Sequence, residues 1–177
     1  MAAFRLTVQF FVASRVPYSE VAVDLRGTGA IDFRAPRLDD QTFTYQQPGL
    51  YLPRLTITEP NGTTHAADAV VQVYDPTVLD GLLQAKWLTF KDALRRGDIA
   101  EAVHHITTRA RARYEADLST LAQDLAAIDT ILGAIRLVKF RGAEAVYEMR
   151  RVDEGVTKSF EVRFRLDVDG VWRLHAF

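Results

Sequence analysis

Up to about residue 75 the apolar positions come in short runs that fit no helical period. LTVQFFVA (6–13) and SEVAVDL (19–25) are rich in β-branched and aromatic residues and predict strands, the first spanning Leu6 to Ala13. TFTYQQPGLYLPRLTITEPNGTT (42–64) sets Thr42 and Thr44, then Leu50, Leu52, Leu55 and Ile57, between turn residues. Pro48-Gly49 and Pro60-Asn61-Gly62 mark turns, because proline pre-sets φ while glycine and asparagine accept positive φ. AVVQVY (69–74) closes this stretch as a further strand. Several short strands at this spacing predict an all-β sandwich.

Asp75-Pro76 marks a change of period. Leu79, Leu82, Leu83, Lys86, Phe90 and Leu94 follow at mostly three- and four-residue steps, which is one face of a helix. Gly97 is placed to end it and Asp98 to cap the next, IAEAVHHIT. A third helical stretch is expected from Arg109 through Asp129, with a break near Ser119. Four strands then follow, AIRLVKF, AEAVYEMRR, KSFEVRFRLD and VWRLHAF, separated by Arg141-Gly142, Asp153-Glu154-Gly155 and Asp167-Val168-Asp169-Gly170. Helices followed by an antiparallel meander predict an α+β unit with helices on one face of a curved sheet. The expected division is 1–76 and 77–177, each able to fold separately.

Composition narrows the function classes. The chain has 177 residues and no cysteine, which excludes disulfides, thiolate metal sites and cysteine nucleophiles. Its net charge of −1 gives no global attraction to nucleic acid or an anionic membrane. No run reaches the length of a membrane-spanning helix. The N-terminal apolar stretch is interrupted by Gln9, which suits a strand better than a secretory leader.

The first 75 residues resemble the polycystic-kidney-disease (PKD) type of immunoglobulin-like sandwich. The resemblance is carried by VAVDLRGTGAIDF and FTYQQPGLYLPRLTITEPNG, through Asp24, Gly27, Gly29, Asp32, Tyr45, Pro48, Gly49, Tyr51 and Gly62. Arg26 and Thr28 stand where that family more often has acidic or amide residues. With only Asp24 and Asp32 near this loop, tight calcium binding is not expected, since calcium takes about six to eight oxygens.

From about residue 79 the chain is similar to the nuclear transport factor two-like (SnoaL-like) α+β cone. WLTFKDALRRGDIAEAV supplies Trp87, Phe90, Ala93, Leu94, Gly97, Asp98 and Ala102. The strands supply Ala145, Tyr147, Phe160, Val162, Phe164 and the ending DGVWRLHAF. That fold hosts isomerases, dehydratases and hydrolases as well as non-catalytic binding modules, so function has to be argued from the site. PKD-like sandwiches resemble spacer or adhesive modules of large exported bacterial proteins. The pair therefore implies an extracellular or periplasmic accessory region if the chain is excised from such a protein, and a cytoplasmic one otherwise.

The resemblance places a ligand pocket, if one is open, among Trp87, Phe90, Tyr114, Tyr147, Met149 and Phe164. Tyr114, Asp117, Tyr147 and Glu161 are the polar side chains able to face inward. Strand alternation puts Glu161 with Ser159, Arg163 and Arg165 on the outer face, and Tyr147 with Met149 on the apolar one. His104-His105 point about 100° apart on a helix and lack an i, i+4 partner, so a packing role is expected. Arg109, Arg111 and Arg113 spread around a helix and are balanced by Glu101, Glu115 and Asp117, as on a solvated surface. Asp167-x-Asp169-Gly170 lacks the downstream glutamate of a calcium loop and predicts a hairpin turn. No catalytic residue, metal or cofactor is assigned. The reading is a non-enzymatic binding or structural module with protein partners: neighbouring domains, or a second copy through the second domain's sheet with Val146 at its centre. The alternative is a small-molecule enzyme or carrier using the cone cavity.

Overall fold

The computed structural model describes residues 5–121 and 125–177. The protein is mixed α/β, with antiparallel sheets and four helices among the described residues. It divides after Asp75 into two compact units.

The first unit holds eight short strands: β1 Leu6–Gln9, β2 Glu20–Asp24, β3 Phe33–Ala35, β4 Thr42–Tyr45, β5 Gly49–Tyr51, β6 Arg54–Thr58, β7 Thr64–Asp68 and β8 Val71–Val73. One sheet runs β3-β2-β6-β7, and β1-β4 and β5-β8 form two further ladders, all antiparallel. β2 is central, and its Val21 and Val23 are fully buried with Leu38 beneath Phe33, Phe43, Leu55 and Ile57. A second cluster joins Tyr45, Val71 and Val73 to Leu6, Val8 and Tyr51. The first strand ends at Gln9 rather than Ala13, because the ladder with β4 stops at the Gln9–Thr42 pair. Phe10 and Val12 still pack on the core.

The turn after β2 is organised by Asp24, only 2% exposed. Its carboxylate accepts from the backbone N–H groups of Arg26 (3.0 Å), Gly27 (2.8 Å) and Gly29 (2.5 Å). Burial pushes the Asp24 pKa up, but the amides of Gly29, Arg26, Gly27 and Thr28 outweigh it and hold the group below its ordinary value. A carboxylate depressed in the folded state stabilises fully above its unfolded pKa of about 3.9, and loses that stabilisation as pH falls through the folded value. The Gly27 and Gly29 amide resonances are therefore expected to stay fixed as pH falls to about 3.9 and to move only below it, together with a loss of turn stability. Movement centred above that pH in an NMR titration would show that the carboxylate is not depressed.

The second unit opens with α1, Pro76–Arg95, followed by α2 Ile99–His104 and α3 Thr108–Thr120. Proline suits the first helical position, where its missing N–H has no partner to lose. The buried seam of α1 is Leu79, Leu83, Trp87, Phe90, Lys91, Ala93 and Leu94. Leu82, expected on that face, is 47% exposed, because successive four-residue steps from Leu79 to Leu83 and Trp87 set the line of contact. Gly97, at φ +68°, ends the helix: its N–H reaches Leu94 O at 2.9 Å and that of Asp98 reaches Ala93 O at 3.0 Å, a left-handed C-cap. The Asp98 side chain caps α2 through Glu101 N at 3.0 Å. The third helix stops at Thr120, close to the expected break, and residues 122–124 of the expected stretch lie outside the described residues. A 3-10 turn at Leu125–Ala127 then leads into α4, Ile128–Ile131.

The sheet is a meander of β9 Ile135–Arg141, β10 Glu144–Asp153, β11 Val156–Leu166 and β12 Trp172–Ala176, in the order β12-β11-β10-β9. Its free β12 edge is covered by residues 105–107: Thr107 N donates to Leu174 O at 2.7 Å and Leu174 N to His105 O at 2.8 Å. Such cover blocks edge-to-edge pairing with another chain. Val162 and Phe164 are buried on the inner face while Ser159 and Glu161 are exposed on the other, as alternation requires. Val146 departs from expectation. It lies on the outer face but is only 6% exposed, between its cross-strand neighbours Lys139 and Arg163. At this exposure the valine offers little apolar surface of its own to a second copy.

Candidate functional site

Of the six side chains expected around a pocket in the second unit, five are buried, and the aromatic ones pack in two groups. Trp87, Phe90, Tyr147, Met149 and Phe164 are each at most 3% exposed, and Tyr114 is half-buried. Trp87 and Phe90 lie 5.8 Å apart between ring centroids, and Tyr147 meets Phe164 edge-on at 5.5 Å. Phe177, which sequence reasoning did not single out, packs on three of them. Its ring stacks on Tyr114 at 4.6 Å and contacts Phe90 at 5.0 Å and Trp87 at 6.0 Å. Tilted and edge-on pairs at these distances are favourable aromatic packing.

Two polar contacts tie α1 to the sheet side. Trp87 Nε1 donates to Gly133 O at 2.9 Å. The Tyr147 hydroxyl donates to Asp80 Oδ1 at 2.8 Å, and Gln84 Nε2 lies 3.1 Å from both Asp80 oxygens. Burial, then the Asp80 hydrogen bond and charge, push the Tyr147 pKa well above the ordinary phenol value. The phenol therefore remains protonated at neutral pH and acts as a donor, not a base. Asp80 and Gln84 carried no sequence signal beyond their i, i+4 spacing. A further pair was also missed: Lys91, 6% exposed, donates from Nζ to Asp129 Oδ1 at 2.6 Å and Leu132 O at 2.9 Å. Its position one turn after Trp87, on the buried seam, was the available clue.

The other candidates separate. Asp117 and Glu161 are exposed. His104 and His105 each lie 3.5 Å from a different oxygen of Glu101. Burial lowers the His105 pKa, with Lys86 and His104 adding to it and Glu101 opposing. Among the described residues no group of three or more histidine, aspartate or glutamate side chains is placed to hold a metal ion. In the arginine run, Arg111 donates to Val103 O at 3.1 Å and Arg113 lies 3.6 Å from Asp117. Asp167 to Gly170 form the hairpin turn, with Arg173 held at 3.0 Å by Asp167 and 2.6 Å by Asp169.

No protein-family model, curated protein or solved structure matches the chain. Clefts of some size lie on surfaces: one of about 560 Å³ beside Arg26, Asp32, Tyr45, Gln47 and Tyr51 in the first unit, and a shallow one of about 310 Å³ on the outer sheet face beside Lys139, Val146, Glu148 and Glu161. Tyr45 is structural, since its hydroxyl donates to Leu25 O at 2.9 Å. Burial, then Asp32, Tyr51 and Asp24, push its pKa up to about 12. No described helix is long and apolar enough to cross a membrane.

Proposed function

We propose that the chain is a non-enzymatic binding or structural module that works through its surfaces. In this reading residues 1–75 are an immunoglobulin-like, PKD-like sandwich serving as spacer or contact surface. Residues 76–177 are a nuclear transport factor two-like cone whose interior is plugged, and the partners are proteins. An accessory region of a larger exported bacterial protein fits this pair. What supports this reading is the burial of Trp87, Phe90, Tyr147 and Phe164, each at most 1% exposed, with Phe177 packed on Trp87 and Phe90.

The chain has two methionines, Met1 and Met149, so selective ¹³C-methyl labelling places one probe inside this core. The Met149 methyl resonance is expected to stay unmoved on adding indole or decanoate. A saturable shift would show an interior that admits ligands and would favour the enzyme or carrier reading. The Tyr147–Asp80 pair is the feature that most favours that alternative. As a structural clamp it predicts that Tyr147→Phe costs about 1 kcal/mol, the net worth of one hydrogen bond, in a urea titration followed by tryptophan fluorescence.

A further inference from the structure

The outer face of the β9–β12 sheet carries an uneven distribution of charge. The register lines its residues up in rows. Arg141, Glu144 and Arg165 form one row, Lys139, Val146 and Arg163 the next, and Arg136, Glu148 and Glu161 the third, with Arg150 opposite Ser159 beyond. In the lower rows charges cancel. Glu148 accepts from Arg136 and Arg150 at 3.0 Å each and from Ser159 at 2.9 Å, and these contacts hold its pKa down to about 2. The upper two rows set Lys139, Arg141, Arg163 and Arg165 against Glu144 alone. Arg165 is paired with Glu144 at 2.8 Å, and Arg163 reaches down to Glu161. Lys139 and Arg141 are exposed and form no ion pair among the described residues. All this lies on a chain whose net charge is −1.

We infer that the upper half of this sheet face, around Lys139, Arg141, Arg163 and Arg165, is a docking surface for an extended acidic segment of a partner protein. The inference rests on the surface-module reading and names the chemistry of its partner. Residues two apart on one strand repeat every 7 Å or so, about the repeat of carboxylates at alternate positions of an extended peptide. Lys139 and Arg141 present unpaired cations at that repeat on β9, flanked on β11 by Arg163 and Arg165, whose nearer partners are Glu161 and Glu144. Arginine also binds carboxylates through a fixed fork of donors. His175, on the β12 side, feels the same field: burial first, then Arg165, Arg163 and Arg109, lower its pKa. A second copy laid face to face would bring like charges together, which opposes association through this patch. Nucleic acid fits less well, because Glu144, Glu148 and Glu161 punctuate the face and none of its residues is an aromatic on which bases stack.

The test uses the full chain and a fluorescein-labelled peptide of alternating glutamate and serine, read by anisotropy at low salt. Binding is expected to weaken at least about tenfold when salt rises from roughly 50 to 300 mM, as ionic screening shortens. The double substitution Lys139→Glu with Arg141→Glu is expected to weaken it by a similar factor, with the melting temperature unchanged because neither side chain is paired in the fold. Arg15→Glu with Arg26→Glu alters net charge equally on the first unit and is expected to leave binding intact. Absence of binding at low salt, equal loss in both double variants, tighter binding of a thymidine 12-mer, or a sedimenting dimer dissolved by the Lys139 and Arg141 substitutions would each overturn the proposal. The Met149 methyl resonance is a separate readout. If the peptide fails to bind while that resonance stays fixed, the surface-module reading stands and only the acidic partner is lost.

Discussion

Phe90→Ala is expected to destabilise residues 76–177 by about 3–5 kcal/mol, the range for emptying a buried aromatic site. Phe90 is fully buried on α1, and its ring sits 5.8 Å from Trp87 and 5.0 Å from Phe177. Truncation removes the transfer free energy of the ring and leaves a void between helix and sheet that rigid neighbours cannot close. A loss of this size is a large part of the stability of a unit this small. Both tryptophans, Trp87 and Trp172, lie in this unit, so urea unfolding followed by tryptophan fluorescence reads it without interference from residues 1–75. Leu82→Ala on the same helix is the control, expected to stay within about 0.5 kcal/mol because that side chain faces solvent. Equal losses at the two positions would mean that the seam of α1 is not the one described.

Gly27→Ala is expected to be the most damaging single-atom change in the first unit. Gly27 has φ +70°, and an L side chain held there costs about 1–3 kcal/mol by conformation alone. A Cβ at this position would also stand 2.4 Å from the backbone carbonyl oxygen of Leu52. Backbone cannot rotate aside as a side chain can, so the Asp24 turn or the approach to β6 has to shift. Gly29→Ala separates the two effects: Gly29 has φ +88° but open space around it, so only the conformational cost remains. The difference should appear as faster hydrogen exchange at Arg26 N–H and Leu25 N–H, both bonded to turn carboxylates, in Gly27→Ala, measured by NMR. Equal exchange in the two variants would show that the close approach to Leu52 is not a constraint.

The buried faces were partly legible. A 3.6-residue and a two-residue period each name a buried face, and Trp87, Phe90, Tyr147, Met149 and Phe164 are all buried. The packing of Phe177 on Tyr114, Phe90 and Trp87 could not be read, because it joins the end of the chain to two helices far back in the sequence. The polar pairs Tyr147–Asp80 and Lys91–Asp129 join residues 67 and 38 positions apart, and no local signal links such partners. Val146 was misjudged for a related reason. Alternation assigns a side chain to a face but says nothing of the lysine and arginine beside it in the sheet.

By itself the sequence determined the local grammar: where the period changes at Asp75-Pro76, where Gly97 and Asp98 end one helix and start the next, and which strand residues alternate. These are set by φ/ψ preferences and hydrogen-bond offsets within a few residues, so they survive without knowledge of the rest of the chain. The tertiary structure decided the quantities that need distant residues in one place. It fixed the α1 seam, packed Phe177 on Tyr114, Phe90 and Trp87, closed the β12 edge with residues 105–107, and gathered Lys139, Arg141, Arg163 and Arg165 onto one half of a sheet face. Packing and charge fields arise from neighbours across strands and between helix and sheet, and a sequence of average charge says nothing about where its cations meet.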